Sequence, residues 1–243
     1  MNLVIDIGNS RMKLGLFQGA NLQERIVEKK FSPDQLSILI QEKTIQQVII
    51  SSSGADPAPW LAVVPEDLFC VHLDHETPLP ITNAYRTPET LGRDRLAGAV
   101  GAHHLYPETA CLSIDIGTCI TYDFIDAEGV YHGGAISPGM RLRFKSMHHF
   151  TANLPLVKRQ RLDSVLGFNT VSSMASGAQF GMAFEIDGYI QHFKDQHPDL
   201  KVLLSGGDTS YFVSQLKSEI FAHPNLVLSG LNQILEYNAS ISR

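Results

Sequence analysis

Ile5-Asp6-Ile7-Gly8 and Ile114-Asp115-Ile116-Gly117 are the same four residues at two points of a 243-residue chain. Each closes a short apolar run, Leu3 to Ile7 and Leu112 to Ile116, and each stops at glycine. Asn9-Ser10 follows the first and Thr118-Cys119 the second, and another apolar run begins in both places, Lys13 to Phe17 and Ile120 to Ile125. Apolar runs broken by Gly and small polar residues read as strand, turn, strand. Four identical residues recur by chance, so the shared context makes the argument. It predicts a duplicated α/β fold, with residues 1–110 and 111–243 as two similar halves and a cleft between them. Such clefts are where small ligands usually bind.

The rest of each half is read outward from these turns. Leu22 to Phe31 is polar enough for an edge strand. Ser32-Pro33-Asp34 starts a helix, with Ser32 as N-cap and Pro33 at the first helical position. Leu36, Leu39 and Ile40 then share one face. Val48–Ile50 and Leu68–Leu73 are further strands. Thr77 to Pro88 is a proline-rich loop, and a helix with small residues Ala97 and Gly101 on its packing face follows between Glu89 and Tyr106. In the second half a strand runs into Gly133-Gly134, and Ser137-Pro138-Gly139 repeats the N-cap and proline signal. Thr170 to Phe193 is a long helix, dense in Ser, Ala and Gly at its start. Val202–Leu204 is a strand, Leu226–Leu228 the last strand, and Leu231–Tyr237 the last helix.

Composition narrows the class. Apolar residues make up 44% and charged residues 18%, an ordinary globular balance. There are 19 Lys and Arg against 25 Asp and Glu. That acidic excess argues against a nucleic-acid coat, which needs cations to replace phosphate counterions. Cys70, Cys111 and Cys119 lie in apolar, buried-looking runs, and an odd, sparse set suits a reducing compartment. No basic segment followed by an apolar run opens the chain, and no stretch is long enough to span a bilayer. The expectation is a cytoplasmic protein with no membrane partner.

Two turns of this kind suit phosphate. Glycine lets backbone approach an anion, Asn9, Ser10 and Thr118 add hydrogen-bonding groups, and Lys13 adds a charge. Asp6 and Asp115 at strand ends can hold a cation, and Mg²⁺ prefers such oxygen ligands. Turn geometry alone accounts for either one; the pair favours phosphate binding. Gly92-Arg93-Asp94-Arg95 places a carboxylate between two arginines, where it is expected to stay ionised. Such an Asp can accept a proton from a substrate hydroxyl, and an adjacent Arg can grip a carboxylate. An ion pair at a helix start is the plainer alternative. Gly133-Gly134, Ser137–Gly139 and the Gly-rich Ser205–Asp208 read either as ligand-approach sites or as tight turns. The His103-His104 and His148-His149 pairs and the His72 and His75 positions match no zinc spacing. Neither a P-loop nor a dinucleotide fingerprint is present.

Taken in order, Asp6-Ile7-Gly8-Asn9-Ser10 with Lys13, Gly92-x-Asp94-Arg95, Asp115-x-Gly117-Thr118-x-x-Thr121, Gly133-Gly134-x-Ile136-x-Pro138-Gly139 and Asn169-Thr170 resemble the type III pantothenate kinases over nearly the whole chain. The resemblance implies a duplicated ribonuclease H-like (actin-like ATPase) fold and ATP-dependent phosphorylation of pantothenate, the first step of coenzyme A biosynthesis. It implies that Asp94 accepts the proton and that Asp6, Ile7, Gly8, Asn9, Ser10, Arg11, Met12 and Lys13 form the first phosphate loop. By the same resemblance Thr118 contacts ATP, and Asp115 binds the monovalent cation, K⁺ or NH₄⁺, that acts beside Mg²⁺. Tyr85, Gly92, Arg93, Asp94, Arg95 and Thr170 bind pantothenate, and the enzyme is a homodimer. Ser10 stands where many members have Thr and Cys119 where many have Ala; Arg93 fills a variable position. None of these removes a group the chemistry needs. A kinase of the same superfamily acting on a sugar or another carboxylate is the alternative enzyme, and a non-catalytic nucleotide-binding regulator is the alternative of another class.

Overall fold

The computed structural model describes residues 1–242. The first apolar run forms β1 (Asn2–Ile7), buried along its whole length. Leu3, Ile5 and Ile7 enter one core and Val4 another, as a strand period of two requires. The chain turns back into β2 (Met12–Gln18), which pairs antiparallel with β1 and with the exposed edge strand β3 (Asn21–Glu28). Helix α1 (Pro33–Glu42) begins where Ser32 caps it. The Ser32 hydroxyl accepts from Gln35 N–H at 3.2 Å, and the Gln35 side chain accepts from Ser32 N–H at 2.8 Å, which satisfies two helix-end donors reciprocally. Strand β4 (Gln47–Ser52) then runs parallel to β1. After the short α2 (Ala58–Leu61), β5 (Phe69–His72) runs parallel to β4. The sheet order is β3-β2-β1-β4-β5.

The second sheet repeats that order. After β6 (Thr82–Asn83) and helix α3 (Arg93–Leu105) come β7 (Cys111–Ile116), β8 (Cys119–Ile125), β9 (Val130–Pro138), α4 (Met140–Phe150), the long α5 (Thr170–Gln196), β10 (Lys201–Ser205), α6 (Thr209–Phe212), β11 (Phe221–Ala222) and α7 (Leu226–Ile241). Its strands run β11-β10-β7-β8-β9, with β6 added beyond β9. Read from the other end this is β9-β8-β7-β10-β11, the counterpart of β3-β2-β1-β4-β5. The parallel β7–β10 pair puts Asp115 opposite Ser205, as the parallel β1–β4 pair puts Asp6 opposite Ser51. The duplication inferred from one tetrapeptide therefore extends to strand order and register.

Compactness does not follow the two sequence halves. Residues 1–109, 125–133 and the segment from 225 onward form one unit, and 110–124 with 134–224 the other. One boundary between the units falls between residues 109 and 110, and 125–133 and the C-terminal helix belong with the first unit. The cause is packing. Leu228, Leu231, Ile234 and Leu235 of α7 fill the core that Val4, Ile49, Ala97 and Val100 line. The second unit has its own core, built from β7, β8 and β10 with Met174, Met182, Ile186 and Ile190 of α5.

Three local expectations change. Leu226–Leu228 is the first turn of α7, not a strand, because all three side chains are buried on a helix that packs on several sides. Helix α4 starts at Met140 with Gly139 as N-cap, so Ser137 and Pro138 end β9 instead of opening a helix. Cys70 is exposed, because it alternates with buried Val71 on edge strand β5. None of the three cysteines forms a disulfide. Burial pushes the Cys111 thiol up to about 12, so it stays protonated.

The contact between α3 and α7 is backbone on backbone. A Cβ at Gly230 would lie 1.8 Å from Ala97 O, and one at Gly101 would lie 2.6 Å from Leu226 O. Neither obstacle is the end of a flexible side chain, so the helices must separate. Gly230→Ala is expected to destabilise the protein by about 1–3 kcal/mol, the usual range for overpacking. Urea unfolding of the purified variant measures this, and an unchanged midpoint would refute the close approach.

Candidate active site

The first unit carries two of the expected clusters. Asp6 and Lys13 sit opposite each other in the β1–β2 ladder, with Lys13 Nζ 3.6 Å from Asp6 Oδ2. Asp6 is 3% exposed, which a carboxylate tolerates when a cation is near. The turn between them, Gly8–Arg11, is closed by Gly8 N–H donating to Arg11 O at 3.1 Å. Asn9, Ser10 and Arg11 are exposed there, whereas Ile7 and Met12 bury their side chains in the core. Of the eight residues expected in this loop, Ile7 and Met12 thus have only backbone to offer a ligand. Ser51, beside Asp6 in the parallel register, is fully buried and its hydroxyl finds no hydrogen-bond partner.

The second cluster stands at the start of α3. Gly92 is the N-cap and makes no side-chain cap bond. Asp94, in the first turn, accepts from Arg95 N–H through Oδ1 at 3.0 Å; a carboxylate is favoured there by the helix dipole. That bond fixes one oxygen and orients the carboxyl group. Arg95 is 6% exposed, and its guanidinium carbon lies 5.7 Å from the centre of the Tyr85 ring, a cation–π distance. The Tyr85 ring in turn occupies the space where Gly133 lacks a Cβ. Asp94, Arg95 and Tyr85 are therefore one constellation. Arg93 is employed otherwise. Its guanidinium donates to Leu91 O at 2.8 Å, Pro88 O at 3.0 Å and Glu89 O at 3.4 Å, which ties the preceding turn to the helix.

The second unit holds Asp115, Thr118 and Thr170. Asp115 is half-buried at the end of β7, and its Oδ2 accepts from Ser205 Oγ at 2.8 Å. Ser205 is thereby a partner of Asp115 and not a free edge of the Gly206-Gly207 turn. Thr118 is exposed on the tight turn that Gly117 N–H closes by donating to Cys119 O at 2.9 Å. The turn is braced from outside. Gly139 N–H donates to Thr118 O at 3.1 Å, and a Cβ at Gly139 would come within 2.3 Å of Gly117 O and 2.6 Å of Thr118 O. Thr170 is exposed at the first position of α5, whose N-cap Asn169 accepts from Ser172 N–H at 2.9 Å.

One group beneath that turn has no local sequence signal. Glu185, on α5, accepts from the Tyr122 hydroxyl at 2.8 Å and from Arg143 Nη2. Arg143 also donates through Nε to Pro138 O at 2.8 Å and through Nη2 to Ser137 Oγ at 3.1 Å. Tyr122 stacks on Tyr189 with ring centres 4.0 Å apart. Burial, then the bond to Glu185, pushes the Tyr122 hydroxyl well above the ordinary phenol range, so it remains a donor.

The family model and the curated relatives agree on one family. A family model described as type III pantothenate kinase matches residues 2–192. A type III pantothenate kinase of Phocaeicola vulgatus is 46% identical over 98% of this chain and 99% of its own length. One from Bacteroides fragilis is 43% identical over 98% of both. Among solved structures, a ROK hexokinase from Thermus thermophilus superposes with a TM-score of 0.53 at 11% identity, covering 98% of this chain and 99% of its own. That likeness concerns the fold, which is the duplicated ribonuclease H-like architecture that the two repeated sheets already show.

Proposed function

Because the chain belongs to the type III pantothenate kinase family, we propose that it transfers the γ-phosphoryl group of ATP to the primary hydroxyl of pantothenate. The products are ADP and 4′-phosphopantothenate, and the step is the first of coenzyme A biosynthesis. The observation that carries the reading is the Asp94 constellation. A part-exposed carboxylate is oriented by Arg95 N–H, and the Arg95 side chain is held on Tyr85. Asp94 receives the hydroxyl proton as the phosphoryl group leaves ATP. Arg95 pairs with the pantothenate carboxylate, which its planar fork matches. Tyr85, Gly92 and Thr170 complete the acceptor site, and Arg93 serves it by holding the turn before α3.

The phosphates fall to Lys13 and the exposed Gly8–Arg11 turn in the first unit, and to Thr118 in the second. The donor sets suit hard cations: Asp6 offers a carboxylate, and Asp115 a carboxylate beside a serine hydroxyl. Mg²⁺ supplies neutralisation of the developing phosphate charge when bound. Asp115 is the residue we assign to a monovalent cation, K⁺ or NH₄⁺. We take the enzyme to be a homodimer, in which a partner could cover the large apolar side chains that the second unit exposes: Phe150, Leu166, Phe168 and Phe184 are 81%, 72%, 86% and 56% exposed. No described helix is long and apolar enough to cross a membrane. We place the enzyme in the cytoplasm, acting on small molecules, and the acidic charge balance speaks against a nucleic-acid partner.

The test is ADP release from MgATP with and without pantothenate, in K⁺ and in Na⁺ buffer. Pantothenate-dependent release that requires K⁺ in the parent, and that in Asp115→Asn falls in K⁺ buffer to the level seen in Na⁺, is expected. Release driven by a sugar but not by pantothenate would move the acceptor to another class. Nucleotide binding without turnover would indicate a regulator.

A further inference from the structure

Thr118 sits on a turn that a neighbouring segment meets from outside. The Gly117–Cys119 hydrogen bond closes it, yet Thr118 is exposed, and the contact that meets the turn from outside comes from Gly139. Gly139 has no side chain and no side-chain cap bond; its backbone is held by Arg143 N–H, which donates to Gly139 O at 3.0 Å. Its neighbours are fixed too. Pro138 O and Ser137 Oγ both receive hydrogen bonds from one guanidinium, that of Arg143. Arg143 is fixed by Glu185, and Glu185 by Tyr122, whose ring is stacked on Tyr189. A continuous path of hydrogen bonds thus runs from α5 through Glu185 and Arg143 to residues 137–139 and on to the carbonyl of Thr118.

From this geometry we propose that Glu185 and Arg143 are positioning residues for the nucleotide: they set the Gly117–Thr118 turn at the distance from which it meets the phosphates of ATP. The inference rests on the role given above to Thr118. The arrangement of donors and acceptors distinguishes it from an ordinary stabilising ion pair. Arg143 donates through Nε to Pro138 O and through Nη2 to both Ser137 Oγ and the Glu185 carboxylate, which also accepts from Tyr122. A side chain that only stabilised the helix pair would not need to bond Ser137 and Pro138, which precede Gly139. The side chains of Arg143 and Glu185 are 21% and 23% exposed, so the pair is sheltered enough for its geometry to be held.

Glu185→Gln keeps the shape and the bond from Tyr122 but removes the charge that holds Arg143. Arg143→Lys keeps the charge but loses the fork that spans Ser137 and Pro138. Each is expected to lower kcat/KM for ATP about tenfold, with KM for pantothenate unchanged, and the double variant is expected to lose no more than either single one, as for residues that act as a unit. MgATP affinity, measured by calorimetry without pantothenate, should fall in parallel. A folded Glu185→Gln or Arg143→Lys protein with parental kcat/KM for ATP would overturn the proposal. So would equal losses toward both substrates, or losses that simply add. If one variant does not fold, the other decides. If the parent shows no pantothenate-dependent turnover but binds MgATP, the acceptor reading fails, and the calorimetric arm still decides whether these two residues position the nucleotide. A parent that binds no MgATP overturns both.

Discussion

Asp94→Asn is expected to lower kcat by about 10²–10⁴, the range typical of a lost general base, while MgATP affinity stays at the parental level. Asparagine has nearly the same shape and keeps a side-chain oxygen to accept from Arg95 N–H, the 3.0 Å bond that orients the group. The start of α3, the Arg93 ties to the preceding turn and the Arg95–Tyr85 contact should all survive. What disappears is a charged oxygen able to take the pantothenate hydroxyl proton. The phosphoryl transition state is loose, and most of its stabilisation comes from positioning and charge. A loss at the lower end of the range would therefore indicate that Asp94 chiefly aligns the hydroxyl, and one at the upper end that it also removes the proton. Steady-state kinetics with calorimetry on the same preparation make the separation. A folded Asp94→Asn enzyme that turns over at the parental rate would remove Asp94 from the mechanism.

The second large effect is expected from Gly139→Ala. A methyl group there would need space that the carbonyl oxygens of Gly117 and Thr118 occupy, at 2.3 and 2.6 Å. Both are backbone atoms, so relief requires the turn, the 137–139 segment or both to move by several tenths of an ångström or more. Displacements approaching 1 Å cost about 10² in rate when a reacting geometry depends on them. The expected result is a fall of about that size in kcat/KM for ATP, with pantothenate binding to the first-unit cluster unaffected. Isotope-exchange or product-release assays with varied ATP at fixed pantothenate measure it. Parental ATP kinetics in this variant would show that the Gly117–Thr118 turn is not a phosphate contact. Gly230→Ala provides the comparison. It meets an even closer backbone obstacle but lies at a helix crossing in the first unit, so it should reduce stability with no selective effect on ATP.

Much of this site can be read from residues alone. The two Asp-x-Gly turns are local objects: a run of apolar residues, a glycine that ends it and short polar groups after it. Their strands form where expected, and the structure adds that each aspartate has a serine beside it in register. The Ser32 cap is legible because a cap and its partner lie three residues apart. Asp94 and Arg95 stand out because they are adjacent. Arg93, also adjacent, looks equivalent, yet it is spent on three backbone carbonyls of its own loop. Glu185 and Arg143 are 42 residues apart, Ser205 and Asp115 are 90, and no periodicity links such pairs.

The sequence by itself determined the duplicated strand-turn-strand plan, the places of the Asp-bearing turns and the order of the motifs. Those features depend on backbone and side-chain preferences that act over a few residues. Only the tertiary structure decided that Leu226–Leu228 winds into a helix, that this C-terminal helix completes the core of the first unit, and that Ser205 faces Asp115. It also decided that Ser137 and Pro138, next to the Gly139 that meets Thr118, are bonded by an arginine held by a glutamate from another helix. These outcomes turn on which buried surfaces and which charges meet after the chain has folded, and burial and pairing energies belong to the assembled contacts rather than to any segment.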